Sequence, residues 1–158
     1  MNRIGEIVQE NGMLIAYHYH MGTMVQNTAE TDRIMGMTDP GLVHLLVDTG
    51  HAHYADDDPL ALVKKHGPRI RNVHLKDIRQ PILDEVHASK MSFLDSVKAG
   101  VFTVPGDGCI DFDPVFRALA EGGYEGWFVV EAEQDPDKAN PLEYAKMART
   151  FIREHTGI

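Results

Sequence analysis

Four short apolar runs in this chain each end on histidines or carboxylates, and each is followed by a stretch with helical spacing. The first, Leu14 to Ala16, passes through Tyr17 to His18 and His20. The second, Val43 to Val47, ends on Asp48, with His51 and His53 beyond it. The third runs through Val73 and Leu75 and carries His74, Lys76 and Asp77. The fourth, Phe128 to Val130, leads to Glu131 and Glu133. Continuous apolar runs alternating with helices predict an α/β fold, because a strand covered on both faces has no wet side to mark with polar residues, and parallel neighbours need crossover helices.

The intervening segments read as helices. Residues 1–12 place Ile4, Ile7 and Val8 on one face and stop at Gly12. Residues 28–38 offer Ile34 and Met37 as buried contacts and close at Asp39-Pro40. DDPLALVKKHGPR starts acidic with Pro59 in its first turn and ends in Lys64, Lys65 and His66, the order that suits a helix dipole. One helix is expected from Ile82 to Lys98, a loop over 104–114, a helix through VFRALAEGGY, a last strand over 126–133, and a helix from about Pro141 to His155. There is no low-complexity tract or composition break, so 1–158 reads as one unit.

In a sheet of parallel strands the carboxyl-terminal ends share one edge, and ligand sites form there. Four segments thus bring nitrogen and oxygen donors to one mouth, a set suited to a borderline divalent ion such as Mn, Co, Fe or Zn. Each residue also has a plainer reading. A strand-end histidine such as His18 is ordinarily a surface or hydrogen-bonded group, Asp48 suits capping of the Thr49-Gly50 turn, and His74 suits a satisfied buried hydrogen bond. Glu131 is harder to place that way, since a carboxylate after three apolar residues is costly to bury unpaired. Coincidence at all four strand ends is the weaker explanation. His44 reads as structural, and His53, His66, His87 and His155 as exposed. Cys109 has no evident base beside it, and PGDG at 105–108 lacks the pattern of a phosphate loop.

Composition narrows the partners. The 158 residues are 43% hydrophobic and 25% charged, with 24 acidic against 15 basic residues and a net charge of -9. No basic cluster tracks a phosphate backbone, so nucleic acid is not expected. One cysteine forms no internal disulfide, and neither a leader nor an apolar run of membrane-spanning length is present, so the expectation is a cytoplasmic protein with no membrane partner.

AYHYHMGTMVQ, LLVDTGHAHYA, RNVHLKDIR, VPGDGCIDF and GYEGWFVVEAEQDP resemble, in that order and over essentially the whole chain, the inosose dehydratases of myo-inositol catabolism, within the xylose-isomerase-like TIM barrels. The resemblance implies a divalent metal, Mn or Co, held at the barrel mouth by one residue from each of four late strands. Carried over, these are Asp48, His74 and Glu131, with His18 standing where many relatives have glutamate. It implies His20 and His51 as substrate contacts. Lys76 and Glu133 share alternation with His74 and Glu131, so Lys76 is a further candidate substrate contact and Glu133, His20 and Lys76 are the candidates for proton transfer; a salt bridge is an equally good reading of the lysine and of Glu133. The implied reaction is loss of water from a cyclic keto-polyol such as scyllo-inosose, giving a trihydroxycyclohexane-1,2-dione. The alternatives are a sugar isomerase or epimerase of the same fold, and a metal- or polyol-binding half domain without turnover.

A full barrel has eight strands and about 250 residues. Four strands beginning after a helix are expected to be the carboxyl-terminal half of one, which would leave two sheet edges and an apolar face open. A fragment is the favoured reading; a missing amino-terminal half supplied by another chain, or self-association of two copies, would also cover them.

Overall fold

The computed structural model describes residues 1–158. Six strands form, β1 (Ile15–His18), β2 (Val43–Asp48), β3 (Ile70–Leu75), β4 (Asp77–Ile78), β5 (Phe102–Thr103) and β6 (Phe128–Val130). The helices are α1 (Asn2–Glu10), α2 (Thr28–Met37), α3 (Thr49–Tyr54), α4 (Pro59–His66), α5 (Gln80–Ser89), α6 (Phe93–Ala99), α7 (Asp113–Glu121) and α8 (Pro141–Thr156). The main sheet has the order β1-β2-β3-β6, and its three pairings are all parallel. A separate antiparallel pair, β4 with β5, sits beyond the end of β3.

Local chemistry sets the helix ends. Asn27 accepts from Glu30 N–H while Glu30 reaches back to the Asn27 N–H, a reciprocal box that starts α2. Asp58 caps α4 ahead of Pro59, whose missing N–H costs nothing in a first turn. The helix expected over Ile82 to Lys98 is instead two. Lys90 turns left-handed at φ 51°, and the Ser92 side chain accepts from Asp95 N–H, starting α6 afresh. That local hydrogen bond offers the backbone an alternative to continuing the helix.

The core lies between the sheet and the helices, with Val43, Leu45, Val47, Ile70, Val73 and Leu75 packed on Leu62, Val63, Phe112, Val115, Phe116, Leu119 and Ile152. A smaller cluster of Tyr54, Ile78, Leu83, Val86, Val101 and Phe102 packs beyond the strand ends. In α2 the buried residues are Thr31 and Met35, whereas Met37, expected as a buried contact, is 72% exposed. His44 lies inside β2 and is buried, and His66, expected exposed, is buried beside Asp32. The last strand is shorter than 126–133, running only over Phe128–Val130, and beyond it Glu133 takes a left-handed φ of 42°.

Strands β1 and β6 each have one neighbour in the sheet. Ile4, Ile7 and Leu14 near the β1 edge are more than half exposed, as is Trp127 just before β6. No helix is long and apolar enough to cross a membrane.

Candidate metal centre at the strand ends

Parallel register carries the four strand-end residues to one place. Asp48 pairs with His74 across β2 and β3, His18 closes β1 beside Leu46, and the Glu131 N–H donates to Leu75 O as the chain leaves β6. Asp48 Oδ2 lies at the centre, 3.4 Å from His18 Nε2 and 3.6 Å from His74 Nδ1, and His74 Nδ1 is 2.6 Å from Glu131 Oε2. The ligand atoms of Asp48, His74 and Glu131 fall within 4.8 Å of one another, and so do those of His18, Asp48 and His51.

Each of these four atoms is buried and lacks a hydrogen-bond partner: His18 Nε2, Asp48 Oδ2, His74 Nδ1 and Glu131 Oε2. These atoms lie close to one another. Between its carboxylates, Asp48 first and then Glu131, His74 is pushed up to about 9 against the opposing effect of burial. His74 in turn holds Glu131 down to about 2. Burial would raise Asp48, but His18, His74 and the Lys76 charge outweigh it and hold Asp48 well below the usual carboxylate range. Buried polar atoms are nearly always paired. Four convergent exceptions with a borderline donor set of two imidazoles and two carboxylates fit a divalent cation.

The surrounding residues fix this arrangement. Asp48 Oδ1 accepts from His51 N–H at 3.0 Å, so the aspartate caps α3 with one oxygen and leaves the other to the centre. The turn-capping reading of Asp48 is what the structure shows, and it leaves the second oxygen available for an ion. Tyr19, 1% exposed, donates its hydroxyl to Asp48 O at 2.6 Å and accepts from Asp48 N–H at 3.0 Å. Nothing in the spacing pointed to this clamp; the only signal was a tyrosine alternating against the histidines.

His20, His51, Lys76 and Glu133 form an adjoining group. Lys76, fully buried, sets its Nζ 2.8 Å from Glu133 Oε2, 3.0 Å from His51 Nε2, 3.6 Å from Asp48 Oδ2 and 3.7 Å from Glu131 Oε1. Its ammonium also lies 4.9 Å from the Phe102 ring centre. His51 is fully buried and burial brings it down to about 3, so it is neutral and its Nε2 accepts from Lys76. The His20 ring lies 3.7 Å from that of His51, and His20 Nε2 is 3.8 Å from Glu133 Oε1. Glu133 is one of three non-glycine residues with positive φ, a strained backbone that keeps its carboxylate on the ammonium.

Beyond this group, Asp77 accepts from the N–H groups of Ile78, Gly106, Gly108 and Ile110 and so ties down the glycine turn. Cys109 does have a histidine beside it, with Sγ 3.5 Å from His53 Nε2, but burial raises the thiol and Gln80 takes the closer His53 contact at 2.9 Å.

The family model for the xylose isomerase-like TIM barrel matches residues 1–155. The chain is 60% identical over 158 residues to the inosose dehydratase of Geobacillus thermodenitrificans, covering 100% of this chain and 53% of the relative. It is 56% identical over 157 residues to the inosose dehydratase of Clostridium beijerinckii, covering 99% of this chain and again 53% of the relative. The chain therefore spans about half the length of the curated relatives it matches. The crystal structure of the IolI protein with a bound zinc atom superposes with a TM-score of 0.73 at 21% identity, over 99% of this chain and 53% of that one, a likeness of fold.

Proposed function

This chain belongs to the xylose isomerase-like TIM barrel family, and from that premise we propose that it is the metal-holding half of a cytoplasmic inosose dehydratase. The reaction is loss of water from a cyclic keto-polyol such as scyllo-inosose to give a trihydroxycyclohexane-1,2-dione. The observation that carries this reading is the convergence of four unpartnered buried atoms, from His18, Asp48, His74 and Glu131, at the ends of four parallel strands. Those residues would hold the ion, Mn or Co. Bound there, a divalent cation supplies Lewis acidity toward a ketone oxygen and its neighbouring hydroxyl, which acidifies the adjacent C–H.

The chain's own residues supply the proton transfers. Glu133 is the base: its carboxylate is 25% exposed, whereas the Lys76 ammonium beside it is fully enclosed. It takes the proton from the hydroxyl-bearing carbon next to the ketone. Lys76 holds Glu133 in place and steadies its charge. His20, 26% exposed and across from Glu133, gives a proton to the hydroxide leaving the following carbon. Water departs, and the remaining enol rearranges to the dione. His51 backs the His20 ring and fixes its position from beneath.

The reading of the four β/α units as the carboxyl-terminal half of a barrel, one unit over 1–158, draws support from the open sheet and the half-length match to the relatives. The face left open is then covered by the other half or by a second copy.

Metal content after dialysis, and dione absorbance on adding scyllo-inosose to the chain in its full-length context, test the proposal together. Asp48→Asn and Glu131→Gln should each lose both. If either variant keeps full metal content and full dehydration, the assignment fails.

A further inference from the structure

Beside the four strand-end atoms lies a second set of metal-capable ligands. One atom each from His20, His51 and Glu133 falls within 4.8 Å of the other two, the same spacing as in the centre itself. Two of the three are already engaged by one cation. Lys76 Nζ stands 2.8 Å from Glu133 Oε2 and 3.0 Å from His51 Nε2, and the lysine is fully buried.

Two features mark this ammonium as built into the centre. Its stem passes over Gly50, where any Cβ would come within 2.6 Å of Lys76 Cγ, so the route exists only because residue 50 lacks a side chain. And Lys76 faces the carboxylates of both sets, with Asp48 and Glu131 each within 3.7 Å in addition to Glu133. Three carboxylates are balanced by one divalent ion together with one ammonium. A second divalent ion beside the ammonium would leave an excess of positive charge in a buried space, which is costly.

We infer that Lys76 takes the place of a second cation: its ammonium occupies the His51 and Glu133 atoms that a second divalent ion bound by His20, His51 and Glu133 would need, and so holds the centre to one metal. Removing the ammonium leaves two imidazoles and a carboxylate free, with one negative charge no longer balanced. This is a site for a borderline divalent ion. The inference shares with the proposed function the reading of the strand ends as a metal centre, but its ligands are a different set.

The test counts ions per chain. The chain is stripped with a chelator, equilibrated with Co(II), dialysed and analysed for cobalt, with the d–d absorption recorded in parallel. The native sequence should hold one ion and Lys76→Ala two, the second with its own absorption band. Lys76→Ala combined with Glu133→Ala should return to one. Should Lys76→Ala not fold, Lys76→Ser, whose hydroxyl recovers part of the lost hydrogen bonding, carries the same expectation. Two ions in the native chain, or one ion in both native and Lys76 variants, overturns the inference and leaves the strand-end centre standing. No ion in the native chain but one in Lys76→Ala, lost with Glu133→Ala, does the opposite: the strand-end reading fails and the second site stands. No ion in either chain overturns both.

Discussion

His74 Nδ1 and Glu131 Oε2 lie 2.6 Å apart, yet neither atom has a hydrogen-bond partner. The parallel pairing of β3 with β6 brings the two groups together, and Asp48 lies beside them. A cation placed there turns four costly buried atoms into satisfied ones.

Removing metal should therefore destabilise the fold. A ligand that binds only the folded chain adds about 2.7 kcal/mol at a free concentration one hundred times its dissociation constant. Thermal melting with Mn(II) or Co(II) and then with excess chelator should show a higher midpoint in the metal-loaded sample, and Asp48→Asn should abolish the difference.

The Tyr19 hydroxyl serves two backbone groups of Asp48, donating to its carbonyl and accepting from its N–H. Tyr19→Phe leaves both without that partner in a buried setting, and a lost buried partner costs about 1–3 kcal/mol. Urea unfolding should register that loss in the metal-free chain. Since the clamp sets the angle at which Asp48 leaves β2, metal affinity should fall by about 10-fold, within the range for residues that orient ligands. Unchanged affinity by titration calorimetry would mean the clamp has no part in the centre.

Asp77 is the hub of the glycine turn, taking four backbone N–H groups. Asp77→Ala strands those donors and should destabilise the chain by roughly 3 kcal/mol or more, as removal of one partner from a buried network does. Gly108→Ala should be comparably harmful, because its added methyl would collide with the Asp77 carboxylate. Denaturant midpoints of the two variants measure both effects.

Asp32 on α2 faces Lys65 and His66 on α4. Burial would raise Asp32, but Lys65 Nζ at 2.6 Å and His66 Nε2 at 2.8 Å outweigh it and hold the carboxyl below its usual value. A carboxyl lowered in the folded state adds stability above its unfolded pKa of about 3.9, and that contribution is lost as the pH falls through the folded value. Asp32→Asn should thus be less stable than the native chain at neutral pH, by about 1 kcal/mol or less because the Lys65 partner is exposed. The difference should close as the pH drops below about 4. A gap that persisted into strong acid would show that the effect is not electrostatic.

Much of this was legible in the residues in order. The apolar runs at 43–47 and around Val73 and Leu75 became β2 and β3, and the strand-end positions of His18, Asp48, His74 and Glu131 became one cluster, because parallel pairing turns equivalent positions along separate strands into neighbours. Helical spacing on either side hides the break between α5 and α6, although Ser92 and Asp95 carry a capping signal. The two-residue pair β4 and β5 was too short to produce any period.

What the sequence by itself determined is the kind of fold and the identity of the donors, since periodicity and strand-end chemistry are local properties. What the tertiary structure alone decided is which groups are left unpaired and which are enclosed. Tyr19 meets Asp48 across 29 residues of chain, and Lys76 meets Glu133 across 57. Those meetings depend on how strands are registered and how closely Gly50 lets a side chain approach, and no spacing along the chain encodes them.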